Sequence, residues 1–146
     1  MRLDAPKHKG QRRAMVSYLR DRGISNQDVL KAFENVPRHL FLDATLESHA
    51  YEDKAFPIGA EQTISHPYTV AFQTELLQLA SGMKVLEIGT GSGFQTSILV
   101  ALGAEVYSIE RQLELYRKCD RHFSIYPPGP KKLIYGDGYK GYLKEA

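Results

Sequence analysis

Several residue types that mark a special environment are scarce in this 146-residue chain. Cys119 is the only cysteine, which excludes an internal disulfide and a multi-cysteine metal site and leads us to expect a reducing, cytoplasmic compartment. Tryptophan is absent, and no apolar run approaches the roughly 20 residues of a membrane-spanning helix. The first residues also lack the apolar stretch of a secretory signal. We therefore expect no membrane partner.

The chain also has little excess of either charge, because its formal net charge is only +2. Residues 1–38 carry nine Lys or Arg against four Asp or Glu, so the N-terminal end is modestly basic. The interleaved aromatic residues typical of a nucleic-acid surface are missing there. We interpret this end as a solvated helix face and expect no nucleic-acid partner.

The first half of the chain predicts helices and loops. An apolar stripe over residues 11–22 indicates a first helix, and the cap-like run Ser25–Asp28 starts a second one that ends at Pro37. Residues 38–61 show no sustained period and predict loops and short pieces that cover a core. A third helix is expected to begin around Ser65-His66-Pro67 and to end before Gly82.

The second half alternates between strands and helices. Apolar strands are predicted over 84–88, 106–109 and 132–135, with helices over 96–102 and 111–123 between them. This order predicts an α/β fold with a parallel sheet and right-handed crossovers.

A glycine loop follows the first of these strands, where Gly89, Gly91 and Gly93 lead into a helix. Such a loop lets the backbone approach a ligand closely, although a purely structural turn is an alternative. Phe94 stands where a dinucleotide-binding fingerprint needs its third glycine, and the Lys-Ser/Thr ending of a phosphate-binding loop is absent. Glycines in this pattern after an acidic residue, Glu87, fit an S-adenosylmethionine loop better.

Three acidic residues stand at or near the ends of the three strands. Glu87 precedes the loop, Glu110 ends the second strand, and Asp137 follows the third between two glycines. The carboxyl ends of parallel strands share one edge, where open α/β sheets bind ligands. Glu110 is placed to bind a ribose hydroxyl pair.

Residues 59–71, with the sequence GAEQTISHPYTVA, resemble the block that distinguishes protein-L-isoaspartate O-methyltransferases from other methyltransferases. The resemblance covers nearly the whole chain in the family's order, and its other parts are residues 15–20, 23–25, 36–39, 85–94 and 136–138. It implies a Rossmann-like S-adenosylmethionine-dependent fold. It also implies an enzyme that methylates the free carboxylate of L-isoaspartyl or D-aspartyl residues in damaged proteins, leaving S-adenosylhomocysteine. The implied partners are proteins or peptides that contain isoaspartyl residues.

The resemblance also implies roles for particular residues. Ser65 matches the catalytic serine, which orients the acceptor carboxylate near the transferring methyl group. The implied cofactor-binding residues are Gln62, Thr63, Ile64, Val70, Glu87, Gly89, Thr90, Gly91, Glu110, Arg111, Asp137 and Gly138. Among these, Gly89 and Gly91 match the methionine end, Glu110 the ribose, and Asp137-Gly138 the adenine.

Other interpretations of the same residues stay open. Ser65 could simply cap the helix that begins at Pro67. No histidine spacing indicates a metal site, and no nucleophile elbow accompanies Ser65-His66. The alternative functions are another S-adenosylmethionine methyltransferase, or a cofactor-binding fragment with weak activity or none.

We expect one integrated domain with two parts. Residues 1–61 form an N-terminal helical and substrate-side segment, and residues 62–146 form the Rossmann-like cofactor-binding portion. The family's sheet has seven strands, so the fold is expected to be truncated after its third parallel strand. Strands supplied by a partner would make an oligomer.

Overall fold

A computed structural model describes residues 1–145 of the chain. Five α-helices and five β-strands form its framework. In chain order they are α1 (Pro6–Asp21), α2 (Gln27–Asn35), β1 (Phe56–Gly59), β2 (Gln62–Ile64), α3 (Pro67–Leu77), β3 (Lys84–Ile88), α4 (Phe94–Ala101), β4 (Glu105–Glu110), α5 (Leu113–Ile125) and β5 (Lys132–Tyr135). Short 3-10 helices lie at Arg38–Phe41, Ala44–His49, Gly138–Lys140 and Leu143–Glu145. None of the described helices is both long and apolar enough to cross a bilayer.

The predicted parallel sheet is confirmed, with the strand order β3-β4-β5. Val85 pairs with Val106 and Ser108 pairs with Leu133, so neighbouring strands run in the same direction. Helices α4 and α5 form the two crossovers. β4 is the central strand and is almost wholly buried, as expected of a parallel strand with neighbours on both sides.

The N-terminal helices pack on the sheet's helices through one apolar core. Leu19 of α1, Phe33 of α2 and Ile98 of α4 are inaccessible to solvent, and the Phe33 and Phe94 rings meet edge to face at 5.7 Å. The buried cluster includes residues from both predicted parts of the chain. The second helix is capped one residue later than the run Ser25–Asp28 predicts, since Asn26 rather than Ser25 is the N-cap and its side chain accepts the amides of Asp28 and Val29. The first helix begins earlier than predicted, because Pro6 supplies a favourable first position.

Residues 56–64 form an antiparallel hairpin that the sequence pattern does not predict. Its strands have only four and three residues, and its turn residues Ala60 and Glu61 have φ angles of 50° and 56°. Hairpin turns of this hand normally use Asn or Gly. The loop and short pieces expected over residues 38–61 are present as two short 3-10 helices and the first strand of this hairpin, whose pairing the pattern does not indicate.

An apolar surface is exposed beside β3, which within residues 1–145 pairs with a strand on one side only. Leu86 and Ile88 of this strand are 46% and 55% exposed.

Candidate functional site

A cleft of about 370 Å³ lies at the carboxyl ends of β3, β4 and β5. The parallel strands bring their ends to one edge, as the sequence order predicts. Eight residues predicted to contact the cofactor line this cleft together: Gln62, Thr63, Gly89, Gly91, Glu110, Arg111, Asp137 and Gly138. Four separate parts of the chain, the hairpin, the glycine loop, the end of β4 and the end of β5, therefore converge on one volume.

The glycine loop is fixed to the end of β4 by its backbone. The Gly89 amide donates to the Ile109 carbonyl at 2.8 Å, and the Gly91 amide donates to the Glu110 carboxylate at 2.9 Å. Gly89 has φ of 88°, and no atom lies within 4 Å of the point where a Cβ would stand. A ligand can therefore approach the backbone at this position.

Glu110 presents a buried carboxylate to the cleft and is only 4% exposed. One of its oxygens accepts the Gly91 amide, and the other accepts the Gln112 amide at 2.9 Å. Each carboxylate oxygen has a further lone pair, so both can accept additional donors. Two adjacent hydroxyl groups are ligands that suit this arrangement.

Asp137 and Gly138 close the cleft beyond β5. The Asp137 carboxylate accepts the Tyr139 amide at 3.0 Å, which shapes the turn. A Cβ placed on Gly138 would lie 2.3 Å from Cγ2 of Ile88, so a side chain there would displace this wall of the cleft. The glycine is therefore a steric requirement of the site.

The hairpin carries Gln62 and Thr63 to the cleft and leads directly to Ser65. Helix α5 holds its other strand, because Nζ of Lys118 donates to the Ile58 carbonyl at 3.1 Å. Ser65 is exposed and does not line the cleft, but it lies two residues beyond Thr63, a separation of at most about 7 Å.

Ser65 does not cap α3, so the structural alternative for its hydroxyl is wrong. The residue at the N-cap position is His66, whose side chain makes no capping hydrogen bond, and the Asp53 carboxylate accepts the first-turn amide of Tyr68 at 3.0 Å. Pro67 occupies the first helical position, where it removes one of the amides that a cap would satisfy. Capping of α3 therefore does not account for the Ser65 hydroxyl.

Glu87 and Thr90 do not line the cleft, and their side chains are bonded in the interior instead. The Glu87 carboxylate accepts the hydroxyls of Thr96 and Ser108 at 2.5 and 2.6 Å, and the hydroxyls of Ser108 and Thr90 are 2.6 Å apart. Burial raises the pKa of Glu87 to about 7, although the two hydroxyl donors lower it. The cofactor contact expected of the Glu87 side chain is therefore corrected, because its carboxylate is bonded to Thr96 of α4 and Ser108 of β4.

Ile64 and Val70 are also outside the cleft lining. They are 3% and 5% exposed and belong to the apolar core. Four other residues line the cleft without having been predicted: Ile88, Ile109, Gln112 and Tyr139. Ile88 and Ile109 are strand-end residues beside predicted ones, and this proximity is the signal that could have identified them.

Cys119 and the buried histidines have structural roles. The Cys119 thiol is 1% exposed and donates to the Gly91 carbonyl at 3.2 Å, and burial raises its pKa to about 12. Asp4, His8 and His39 lie close enough together to suggest a metal site. Each imidazole nitrogen already has a partner, however, so no ring lone pair is left for a metal ion.

Comparisons with known proteins agree with this geometry. A family model described as protein-L-isoaspartate(D-aspartate) O-methyltransferase matches residues 10–146. Proteins named protein-L-isoaspartate O-methyltransferase from Christiangramia forsetii and Flavobacterium psychrophilum are 57% and 56% identical to this chain over 138 residues. The match covers 94% of this chain and 65% of each relative, so it spans slightly less than two thirds of the relatives' length.

Two solved structures share the fold. A protein-L-isoaspartate O-methyltransferase superposes with a TM-score of 0.81 and 29% identity, covering 91% of this chain and 44% of that one. A Plasmodium falciparum protein of the same description, in complex with S-adenosyl-L-homocysteine, gives a TM-score of 0.74 at 22% identity, with 94% and 66% covered. With the family match over most of the sequence, the chain belongs to the protein-L-isoaspartate(D-aspartate) O-methyltransferase family.

Proposed function

We propose that the chain methylates the free carboxylate of L-isoaspartyl or D-aspartyl residues in damaged proteins, with S-adenosylmethionine as the methyl donor. The observation that carries the proposal is the convergence of the glycine loop, Glu110 and Asp137-Gly138 on one cleft, beside the hairpin that leads to Ser65. The names of the relatives agree with this chemistry.

The cleft residues fit this cofactor. Glu110 would accept the two ribose hydroxyls, and the open space at Gly89 would admit the methionine end. Asp137 and Gly138 would border the adenine, with Ile88 and Ile109 as apolar walls. A volume of about 370 Å³ lies within the range of small-molecule sites. When bound, the cofactor supplies a methyl group on a sulfonium sulfur.

The protein's part in the reaction is positioning. The acceptor carboxylate is ionised at neutral pH, so its oxygen can form the new bond to carbon without a general base. The Ser65 hydroxyl would donate a hydrogen bond to that carboxylate and hold it in line. Correct placement of two bound reactants can lower a barrier by about 7–11 kcal/mol. The partners are therefore proteins or peptides that contain isoaspartyl residues.

A paired-peptide assay tests the proposal. The chain is incubated with radiolabelled S-adenosylmethionine and either an isoaspartyl peptide or its aspartyl counterpart. We expect base-labile label on the isoaspartyl peptide alone. Ser65→Ala should reduce this transfer by about 10-fold or more while S-adenosylhomocysteine still binds, and Ser17→Ala on the exposed face of α1 serves as the matched control.

Each alternative gives a different result. Equal labelling of both peptides would contradict the isoaspartyl specificity and favour another methyltransferase. Calorimetric binding of S-adenosylhomocysteine without transfer would favour a non-catalytic cofactor-binding module. Absence of binding would contradict the assignment of the cleft.

A further inference from the structure

Arg38 is a buried cation whose hydrogen-bond acceptors in the described residues are backbone carbonyls. It is 0% exposed, and the Asp53 carboxylate attracts its charge without accepting a hydrogen bond from it. Its Nε donates to the Ala50 carbonyl at 2.8 Å, while Nη2 donates to the carbonyls of Lys54 and Ser65 at 3.1 and 2.9 Å. Burial lowers the pKa of Arg38 to about 10, so the group stays protonated at neutral pH.

This arrangement is costly for stability alone. Burying a charge is unfavourable unless it is paired or fully hydrogen-bonded. Nη1 of Arg38 has no hydrogen-bond partner within the described residues. A neutral side chain of similar size would avoid this cost, so a function in the site is a reason to keep the guanidinium.

The two sides of the guanidinium face the two halves of the candidate site. On one side it binds the Ser65 carbonyl, and on the other it lies 4.9 Å from the centre of the Phe94 ring. Phe94 is the first residue of α4 and directly follows the glycine loop. Arg38 is therefore in contact with both the serine segment and the helix that anchors the loop.

We propose that Arg38 is a positioning residue that fixes Ser65 relative to the glycine loop. The inference rests on the proposed function, since Ser65 matters only if it orients the acceptor. Lysine cannot replace Arg38 here, because a single ammonium group lacks the planar fork that reaches three carbonyls in different directions.

Arg38→Lys is the test variant, and Arg12→Lys is its matched control. Arg12 is also buried, at 4% exposure, but its guanidinium binds Asp4, Tyr51 and the Glu34 carbonyl, with no contact to Ser65. We expect Arg38→Lys to lower kcat by about 100-fold, the cost of a displacement of about 1 Å, with KM for S-adenosylmethionine changed less than threefold. Arg12→Lys should lower stability with kcat within threefold of the unsubstituted chain.

Hydrogen exchange provides a second measurement that needs no activity. Peptides covering residues 55–66 should exchange faster in Arg38→Lys than in the unsubstituted chain, while those over residues 105–110 stay unchanged. In Arg12→Lys, residues 55–66 should keep their protection. If Arg38→Lys does not fold, Arg38→Gln retains one donor group and is measured in its place.

The outcomes separate this inference from the proposed function. An unsubstituted chain that binds no S-adenosylhomocysteine contradicts the proposed function, and the exchange comparison then decides the role of Arg38 by itself. A folded Arg38→Lys or Arg38→Gln that transfers methyl groups as fast as Arg12→Lys, or that leaves exchange over 55–66 unchanged, overturns the positioning role.

Discussion

The buried carboxyl of Glu87 makes the stability of this fold depend on pH in an uncommon direction. Burial raises the pKa of this group from its ordinary value of 4.5 to about 7 in the folded state, against the opposing effect of the Ser108 and Thr96 hydroxyls. The folded chain therefore keeps a proton that the unfolded chain releases at lower pH. Glu87 stabilises the fold fully below pH 4.5, and that contribution is lost as the pH rises to about 7.

The magnitude follows from the two pKa values. The interval between 4.5 and about 7, at about 1.4 kcal/mol for each pH unit, corresponds to roughly 3 kcal/mol. Glu87→Gln has no charge at any pH and keeps an oxygen that accepts both hydroxyls. The added amide donors of the Glu87→Gln side chain lower stability by the same amount at every pH if they are unpaired. The change of the stability difference with pH, rather than its absolute size, therefore reports on the Glu87 carboxyl.

Urea unfolding at several pH values between 4.5 and 8 measures this slope. The quantity to follow is the free energy of unfolding of Glu87→Gln minus that of the unsubstituted chain, because the subtraction removes the titration of all other groups. This difference should rise by about 3 kcal/mol over the range. Glu34→Gln, on the exposed side of α2, is the control and should stay within about 0.5 kcal/mol. A difference for Glu87→Gln that is flat or falls with pH would refute the buried, protonated state.

Three further predictions concern the hairpin, the thiol and the cleft wall. Glu61→Gly should raise the free energy of unfolding by about 1 kcal/mol, because Glu61 has φ of 56° and glycine adopts this conformation without strain. Gln73→Gly inside α3 is the control and should lower the free energy of unfolding by about 1 kcal/mol. A loss of stability in both variants would contradict backbone strain at Glu61. Cys119, with its pKa near 12, should react with a thiol reagent at pH 8 only after addition of urea, and rapid labelling of the folded chain would contradict its burial. Gly138→Ala should lower stability by about 1–3 kcal/mol and weaken S-adenosylhomocysteine binding, because the new methyl group meets Ile88. Adding Ile88→Ala should restore binding as measured by calorimetry. A double variant that binds no better than Gly138→Ala would contradict the steric role of Gly138.

The parallel sheet could be predicted because its signals are local. Each strand is a short apolar run, and the glycine loop after Ile88 marks a change from strand to helix. Once the strands are parallel, Glu110 and Asp137 must stand at one edge, whatever the side chains around them do. Most of the cleft lining follows from this rule.

The hairpin could not be predicted because its turn breaks the usual residue preference. Ala60 and Glu61 both adopt positive φ, although neither is Gly or Asn. Tertiary contacts stabilise the turn instead: Lys118 of α5 binds the Ile58 carbonyl, and Gly59 leaves room for the Glu114 carboxylate, which would lie 2.6 Å from a Cβ. These partners are more than 50 residues away in sequence, so no local window contains them.

The direction of a side chain is the second kind of information that spacing does not carry. Glu87 stands in the right place along the chain for a ligand contact, yet its carboxylate binds Thr96 and Ser108. Arg38 has no motif-like spacing to Ser65, yet it binds the Ser65 carbonyl across 27 residues. A residue that acts through another residue's backbone is constrained by geometry alone. For this reason the positioning side chains of a site of this kind are found from the fold, after the ligand-contacting ones have been found from the sequence.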